Sequence, residues 1–304
     1  MSTAARFETH RPRLLALAHR LLGSRAEAED VVQDAWLRWN GAAHGEIRDD
    51  EAWLVTATTR LALDRLRAVR NARTDYVGPW LPEPLQVTLA PEPTELAERA
   101  ESVSWALMAL LERLGPDERA AFLLREVFDY GYEAIAPLLG HSEANCRQLV
   151  HRARARLQAG HARFQVAPER HRRLLERFMA ASQSGDQAAI TALLRTDARL
   201  VSDGGGKVTA ALRPLLGAER IARLYWAIAR RGAQVEARVG WVDGEPAILR
   251  FVDGRLHSLT MLVSDGERIS DILTLMNPDK LAAFIGPVPR PAPLAQARAS
   301  TTRI

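Results

Sequence analysis

Five short clusters in this chain have residue types and spacings that could do chemistry. Ala144, Arg147, Gln148 and His151 recur at the spacing of one helix face. Arg pairs bidentately with guanine and Gln with adenine, so such a face is suited to a DNA major groove. Arg152, Arg154 and Arg156 beside it suit phosphate contacts, which position a helix without reading sequence. An ordinary helical hairpin with a solvated basic face is the alternative. Asp30, Gln33, Asp34 and Leu37 form a second stripe, this time acidic with a leucine among them. It would repel DNA and fits a protein surface, or is simply solvated.

The other three clusters are motifs of backbone shape. Trp80-Leu81-Pro82-Glu83-Pro84 is a rigid extended strip with an apolar anchor, suited to a groove or to use as a stiff spacer. In Asp203-Gly204-Gly205-Gly206-Lys207 the glycines permit positive φ. The turn's amides could hold an anion or carboxylate with Lys207 alongside, or the segment is a flexible hairpin. Asn277-Pro278-Asp279-Lys280-Leu281 reads as a helix start, with Asn as cap and Pro first in the helix. Of 41 basic residues only Lys207 and Lys280 are lysines, one in each of these last two motifs. Where Arg is the default, a retained ammonium suggests that a guanidinium will not do.

Other reactive side chains are sparse. Cys146 is the single cysteine and lies on an apolar stripe, so packing is its expected role. His257, Tyr225 and Asp271 are the candidates for acid–base work after residue 171, at no diagnostic spacing. No catalytic set, metal site or cofactor is expected.

The elements that must position these clusters follow from periodicity. Helical patterns cover Phe7–Leu22, closed by Gly23, then Ser24 to about Asn40, then Asp49 or Asp50 to about Arg73. Five prolines between positions 79 and 93 mark an extended linker. Helices resume over Thr94–Leu114, Pro116–Phe128, Tyr132–Leu139 and Ser142 to about Ala162. Gly140 and Ser142 there give helix-turn-helix form.

After a helix from Pro168 to about Ser184 the period changes to two. Strands are expected at Ala198–Ser202, Val235–Val242, Ala247–Val252, Arg255–Ser264 and Arg268–Leu275, three of their turns carrying Asp-Gly, with a helix at Ala218–Arg231. The reading is multidomain: all-α units over 1–74 and 101–163, a linker over 75–100, an α+β cone with a curved antiparallel sheet over 168–285, and a flexible tail over 286–304.

A length of 304 residues fits two or three such units. The net charge of +4 is unevenly spread: residues 141–173 hold eight Arg and four His against two Glu, a local site for a polyanion. Neither a signal peptide nor a run of ~18 apolar residues is present, so a cytoplasmic protein with no membrane partner is expected.

The order of these features resembles the bacterial extracytoplasmic-function sigma factors. Ala28 through Trp36 is similar to the core-binding helix of the σ2 domain, Trp53-Leu54 through Leu63-Asp64-Arg65-Leu66-Arg67 to its −10-reading helix, and Leu114-Gly115-Pro116 through Leu157 to the σ4 domain. The resemblance implies that Asp30, Gln33, Asp34 and Leu37 dock on the β′ clamp helices of the RNA polymerase core, which also offers its β subunit. It implies that Arg60, Asp64 and Arg67 engage the melted −10 strand, although relatives often carry Asn at the position of Arg60. Arg147, Gln148 and Arg152, with Ala144 and His151, would face the −35 element of promoter DNA.

The C-terminal extension resembles a SnoaL-like, NTF2-type domain. Its three motifs match the sigma factors with such a fused domain, the group often called ECF41, where it is taken as a built-in regulator. The implied function is promoter-specific initiation, with Trp80, Leu81, Pro82, Glu83, Pro84, Asp203, Gly204, Gly205, Gly206, Lys207, Asn277, Pro278, Asp279, Lys280 and Leu281 as candidates for intramolecular contacts with σ2 and σ4. The rival is a one-component DNA-binding regulator whose C-terminal domain binds a small molecule or is an isomerase or cyclase.

Overall fold

The computed structural model describes residues 2–72, 75–89, 104–161, 167–231 and 235–284. The N-terminal unit has three helices, α1 (Thr3–Leu22), α2 (Arg25–Asn40) and α3 (Asp50–Ala72). Gly23 ends α1 in the left-handed conformation, its amide donating to His19 O, and the Asp49 carboxylate caps α3 through Ala52 N. Ser24, expected as a cap, makes no side-chain cap bond. The second unit comprises α4 (Trp105–Leu111), α5 (Pro116–Glu126), α6 (Tyr132–Leu139) and α7 (Glu143–His161). Gly140 turns α6 into α7, the expected helix-turn-helix, and Cys146, Leu149, Val150, Ala153 and Leu157 form its buried stripe.

The two helical units share one continuous apolar core, in which Leu14, Leu17 and Leu54 belong to the same cluster as Phe122, Ile135 and Val150. Arg119 of α5 seals the junction, fully buried, donating to Arg20 O at 2.9 Å and pairing with Glu112. Burying a guanidinium is costly unless it is paired, so this contact is specific as well as apolar.

The C-terminal domain contains α8 (Pro168–Ser184), α9 (Gln187–Leu193), α10 (Ala218–Ala229) and α11 (Pro278–Leu281), with strands β2 (Leu194–Asp203), β3 (Leu215–Leu216), β4 (Glu236–Val242), β5 (Glu245–Val252), β6 (Arg255–Ser264) and β7 (Ile269–Leu275). The helix α9 and the two-residue β3 escaped the sequence reading, being shorter than the windows that reveal a period.

The expected antiparallel sheet is corrected in one pairing: β2 runs parallel to β7, so the sheet is mixed. The Asp-Gly hairpins fix the antiparallel meander from β4 to β7, but β2 reaches β7 through no hairpin, and its direction is set by the longer path through α10. A second correction concerns the linker. Part of it, β1 (Val87–Thr88), pairs with Val242 and Trp241 as an edge strand of this same seven-stranded sheet.

Both sheet faces are covered. One packs against α8, α9 and α10 through Phe178, Ile190, Ile221 and Tyr225. The other holds Leu249, Met261, Leu273 and Leu275 against Leu81 of the linker and Trp105, Ala106 and Ala109 of α4. The expected N-terminal turns of the fourth helix, the end of the α7 segment beyond 161 and the tail over 286–304 lie outside the described residues.

Candidate functional site

The motif at 80–84 lies at the meeting point of all three units. On the N-terminal side, Glu83 N donates to Gly23 O at 2.8 Å, its carbonyl takes the His19 Nε2 proton at 3.0 Å, and its carboxylate accepts from Arg25 N at 2.9 Å. The Trp80 ring packs so closely on Gly23 that a β-carbon there would come within 2.7 Å of it. The glycine is required twice, for the left-handed cap and for this approach. Burial and nearby arginines lower the His19 pKa to about 4, leaving the ring neutral. On the helix-turn-helix side, Trp105 Nε1 donates to Pro82 O at 2.9 Å.

On the third side stands Asp203, with no exposed surface. Its Oδ2 accepts from Leu81 N at 2.8 Å and from Lys280 Nζ at 2.7 Å. Its Oδ1 accepts from Tyr76 OH at 2.5 Å and from Gly205 N at 3.1 Å. Lys280 Nζ also donates to Leu81 O at 2.5 Å and sits 3.9 Å from the centre of the Trp80 ring, a cation–π distance. Asn277 caps α11 through Asp279 N and donates to Tyr76 OH at 2.8 Å. Burial, together with the Asp203 carboxylate, pushes the Tyr76 pKa up, so the phenol stays a donor.

The glycine turn is therefore rigid. Gly205 and Gly206 both have positive φ; a β-carbon on Gly205 would collide with the Asn277 side chain and one on Gly206 would press on Val77. One of its amides does hold a carboxylate, that of Asp203. Lys207 is not alongside it, however, but pairs with Asp279 at the surface. Further along the linker, Asp243 Oδ1 accepts from Leu85 N at 2.9 Å and Gln86 N at 2.8 Å, ahead of β1.

The helical faces are placed as follows. Asp30, Gln33, Asp34 and Leu37 are all exposed on α2, and Leu37 is 60% exposed although large and apolar. Ala144, Arg147, Gln148, His151 and Arg152 are all exposed on α7. Arg147 pairs with Glu143 and lies over the Tyr132 ring, while Arg152 and Arg156 pair with Glu118. Arg60, Asp64 and Arg67 share the exposed side of α3, but two of them are engaged by the second unit. Arg60 donates to Pro137 O of α6 at 3.1 Å, and Arg67 pairs with Asp117 of α5 at 2.8 Å. Asp117 in turn meets His141 of the helix-turn-helix at 3.1 Å.

Asp271 is paired with Arg199 of β2 and with Arg113 in the turn between α4 and α5, and His257 is exposed, so neither joins Tyr225 in a constellation. Tyr76, His19, Arg25, Trp105, Asp117 and Asp243 were not foreseen as site residues. Only Tyr76, an aromatic inside a proline-rich stretch, offered a signal.

A helical unit with an open acidic stripe, a helix-turn-helix with an open basic face and a fused α+β domain together define a multidomain transcription initiation factor. Residues 6–72 match the family model described as Sigma-70 region 2 and residues 104–157 that described as Sigma-70, region 4. The chain is similar to the ECF RNA polymerase sigma factor SigJ of Mycobacterium tuberculosis, 37% identical over 97% of this chain and 96% of the relative. A probable ECF RNA polymerase sigma factor, SigI of the same species, is 32% identical over 93% and 97%. The crystal structure of Mycobacterium tuberculosis SigJ superposes with a TM-score of 0.71 at 34% identity, covering 92% of this chain and 98% of that one. The chain belongs to the extracytoplasmic-function RNA polymerase sigma factors, which bind core polymerase and direct promoter-specific initiation.

Proposed function

We propose that this structure is the closed state of the sigma factor, in which the linker and C-terminal domain hold the two helical units face to face. The observation that carries it is the engagement of Arg60 and Arg67, the candidates for the melted −10 strand, by Pro137 and Asp117 of the other unit. A strand cannot reach side chains so occupied. In the open state Asp30, Gln33, Asp34 and Leu37 dock on the polymerase β′ clamp helices. Arg60, Asp64 and Arg67 then take the −10 strand, and Ala144, Arg147, Gln148, His151 and Arg152 face the −35 groove.

The C-terminal domain acts through contacts rather than turnover, since its polar candidates do not converge. The linker motif, Asp203, the glycine turn and Asn277 to Leu281 form the latch, and the protein works in the cytoplasm where polymerase is. A ligand shifts such an equilibrium only through different contacts in its two states, and core polymerase, needing the open state, supplies that difference.

Run-off transcription with purified core tests this reading. Lys280→Met, which removes the latch cation, raises core-dependent initiation several-fold over the parent chain. Activity no higher than the parent's both in Lys280→Met and in a chain ending after Ala167 overturns it, with circular dichroism confirming that each variant is folded.

A further inference from the structure

On the sheet face opposite the linker, a cavity of about 280 Å³ lies between α8, α10 and strands β2, β4, β5, β6 and β7. Its α10 wall is apolar, with Leu224 and Ile228, and its sheet wall carries the hydroxyls of Ser202, Ser258 and Thr274. Arg250 of β5 lines it, and no Asp or Glu does among the described residues. The Arg250 guanidinium donates to Thr260 Oγ1 at 3.1 Å and Ser182 Oγ at 3.3 Å, both neutral. No ion pair to it occurs among the described residues, whereas Arg113, Arg119 and Arg199 of this chain each face a carboxylate. Its guanidinium carbon is 5.8 Å from the Tyr225 ring, and the Tyr225 hydroxyl is in hydrogen-bond reach of both Arg250 and Thr274.

A half-buried guanidinium has five N–H donors in a fork that matches a carboxylate. Left among neutral hydroxyls, it carries a desolvation cost that a bound anion would remove. A second anchor is the phenol, which burial keeps protonated and able to donate to the same anion. One fixed cation with neutral donors suits a single negative charge, and the α10 wall suits a hydrocarbon. At ~30 Å³ per water-sized group, the space holds roughly ten non-hydrogen atoms.

We infer that this cavity binds a small monocarboxylate with an apolar body, the carboxylate on Arg250 and Tyr225 and the body against Leu224 and Ile228. The inference stands apart from the latch reading, since none of its groups belongs to the latch.

Octanoate has the stated size and charge and serves as the probe, titrated calorimetrically into the full chain. Saturable 1:1 binding is expected, at least tenfold tighter than for 1-octanol, which keeps the body, and for inorganic phosphate, which keeps only the charge. Arg250→Gln is expected to lose at least tenfold in octanoate affinity. Ile228→Trp, at the half-exposed rim, blocks the body without touching the charge and is expected to abolish binding. Octanol binding as tightly as octanoate, unchanged affinity in Arg250→Gln, or no saturable binding overturns the inference. If Arg250→Gln fails to fold, the octanol comparison and Ile228→Trp decide it.

Discussion

Asp203 accepts four hydrogen bonds from three parts of the chain while wholly buried, and one of its donors is the ammonium of Lys280. A buried carboxylate deprived of its cation is left uncompensated, which costs on the order of 3–5 kcal/mol. Lys280→Met should therefore lower the stability of the closed chain by about that amount in urea unfolding. Lys280→Arg should fall between the two, because a planar fork cannot point one Nζ at Asp203, Leu81 O and the Trp80 face together. His19 makes the same junction sensitive to acid. Its folded pKa of about 4 lies below the ordinary 6.5, so between those values the unfolded chain binds more protons and stability falls as pH falls. The loss amounts to about 3 kcal/mol by pH 4. Asp243 and Glu245 work in the opposite sense: burial raises their carboxyls to about 6 and about 7, so their protonation below those values favours the folded state. His19→Gln keeps a donor for Glu83 O but cannot charge. Melting temperature measured against pH should show a shallower acid decline in His19→Gln than in the parent, and parallel profiles would refute the assignment.

The glycine turn and the linker strand show how an element is fixed by what it touches. At Gly205 a side chain meets both a positive φ and the Asn277 amide, so Gly205→Ala should destabilise the chain by about 1–3 kcal/mol. Gly244, also at positive φ but with open space around its β-position, should lose less when changed to Ala. Thermal unfolding of the two variants compares strain plus collision with strain alone. These elements also mark the limit of what the sequence could tell. The helix-turn-helix, its buried stripe and the exposed faces of α2 and α7 were readable because a period of 3.6 separates the inward from the outward side within one segment. The Asp-Gly turns likewise announced the β4 to β7 meander. A period does not say which surface an apolar or acidic residue meets, however. The Tyr76–Asp203 bond spans 127 residues, and nothing near either end announces it. The parallel β2–β7 pairing and the docking of β1 were illegible for the same reason, being set by long connections. The motifs at 80–84, 203–207 and 277–281 were visible as separate oddities, and only the fold shows them as one junction.

At the scale of the whole molecule, the shared core of the two helical units conflicts with the geometry of a promoter. Promoter elements read by separate units are strung along the DNA axis at ~3.4 Å per base pair, whereas here α3 touches α5 and α6 directly. In the proposed open state the two units part, breaking the Arg60–Pro137 and Arg67–Asp117 contacts. On the proposed roles charge favours that exchange, because the arginines released from protein partners would meet phosphates, Arg152 and Arg156 giving up Glu118 in the same way. Two consequences can be measured. Arg147→Ala, on the face proposed for the −35 groove, should weaken binding by about 1–3 kcal/mol on a matched promoter and less on an unrelated one. Arg156→Ala should weaken both alike and reduce the salt slope by about one. A donor–acceptor dye pair placed at the exposed positions Ala68 on α3 and Ala155 on α7, neither of them assigned to DNA, reports the separation itself. Transfer between the dyes should be high in the free chain and collapse on binding core polymerase and promoter. In Lys280→Met, with the latch weakened, part of the collapse should already be present before polymerase is added. High transfer that persists in an initiating complex would show that the units never part, and the closed-state reading would fall with it.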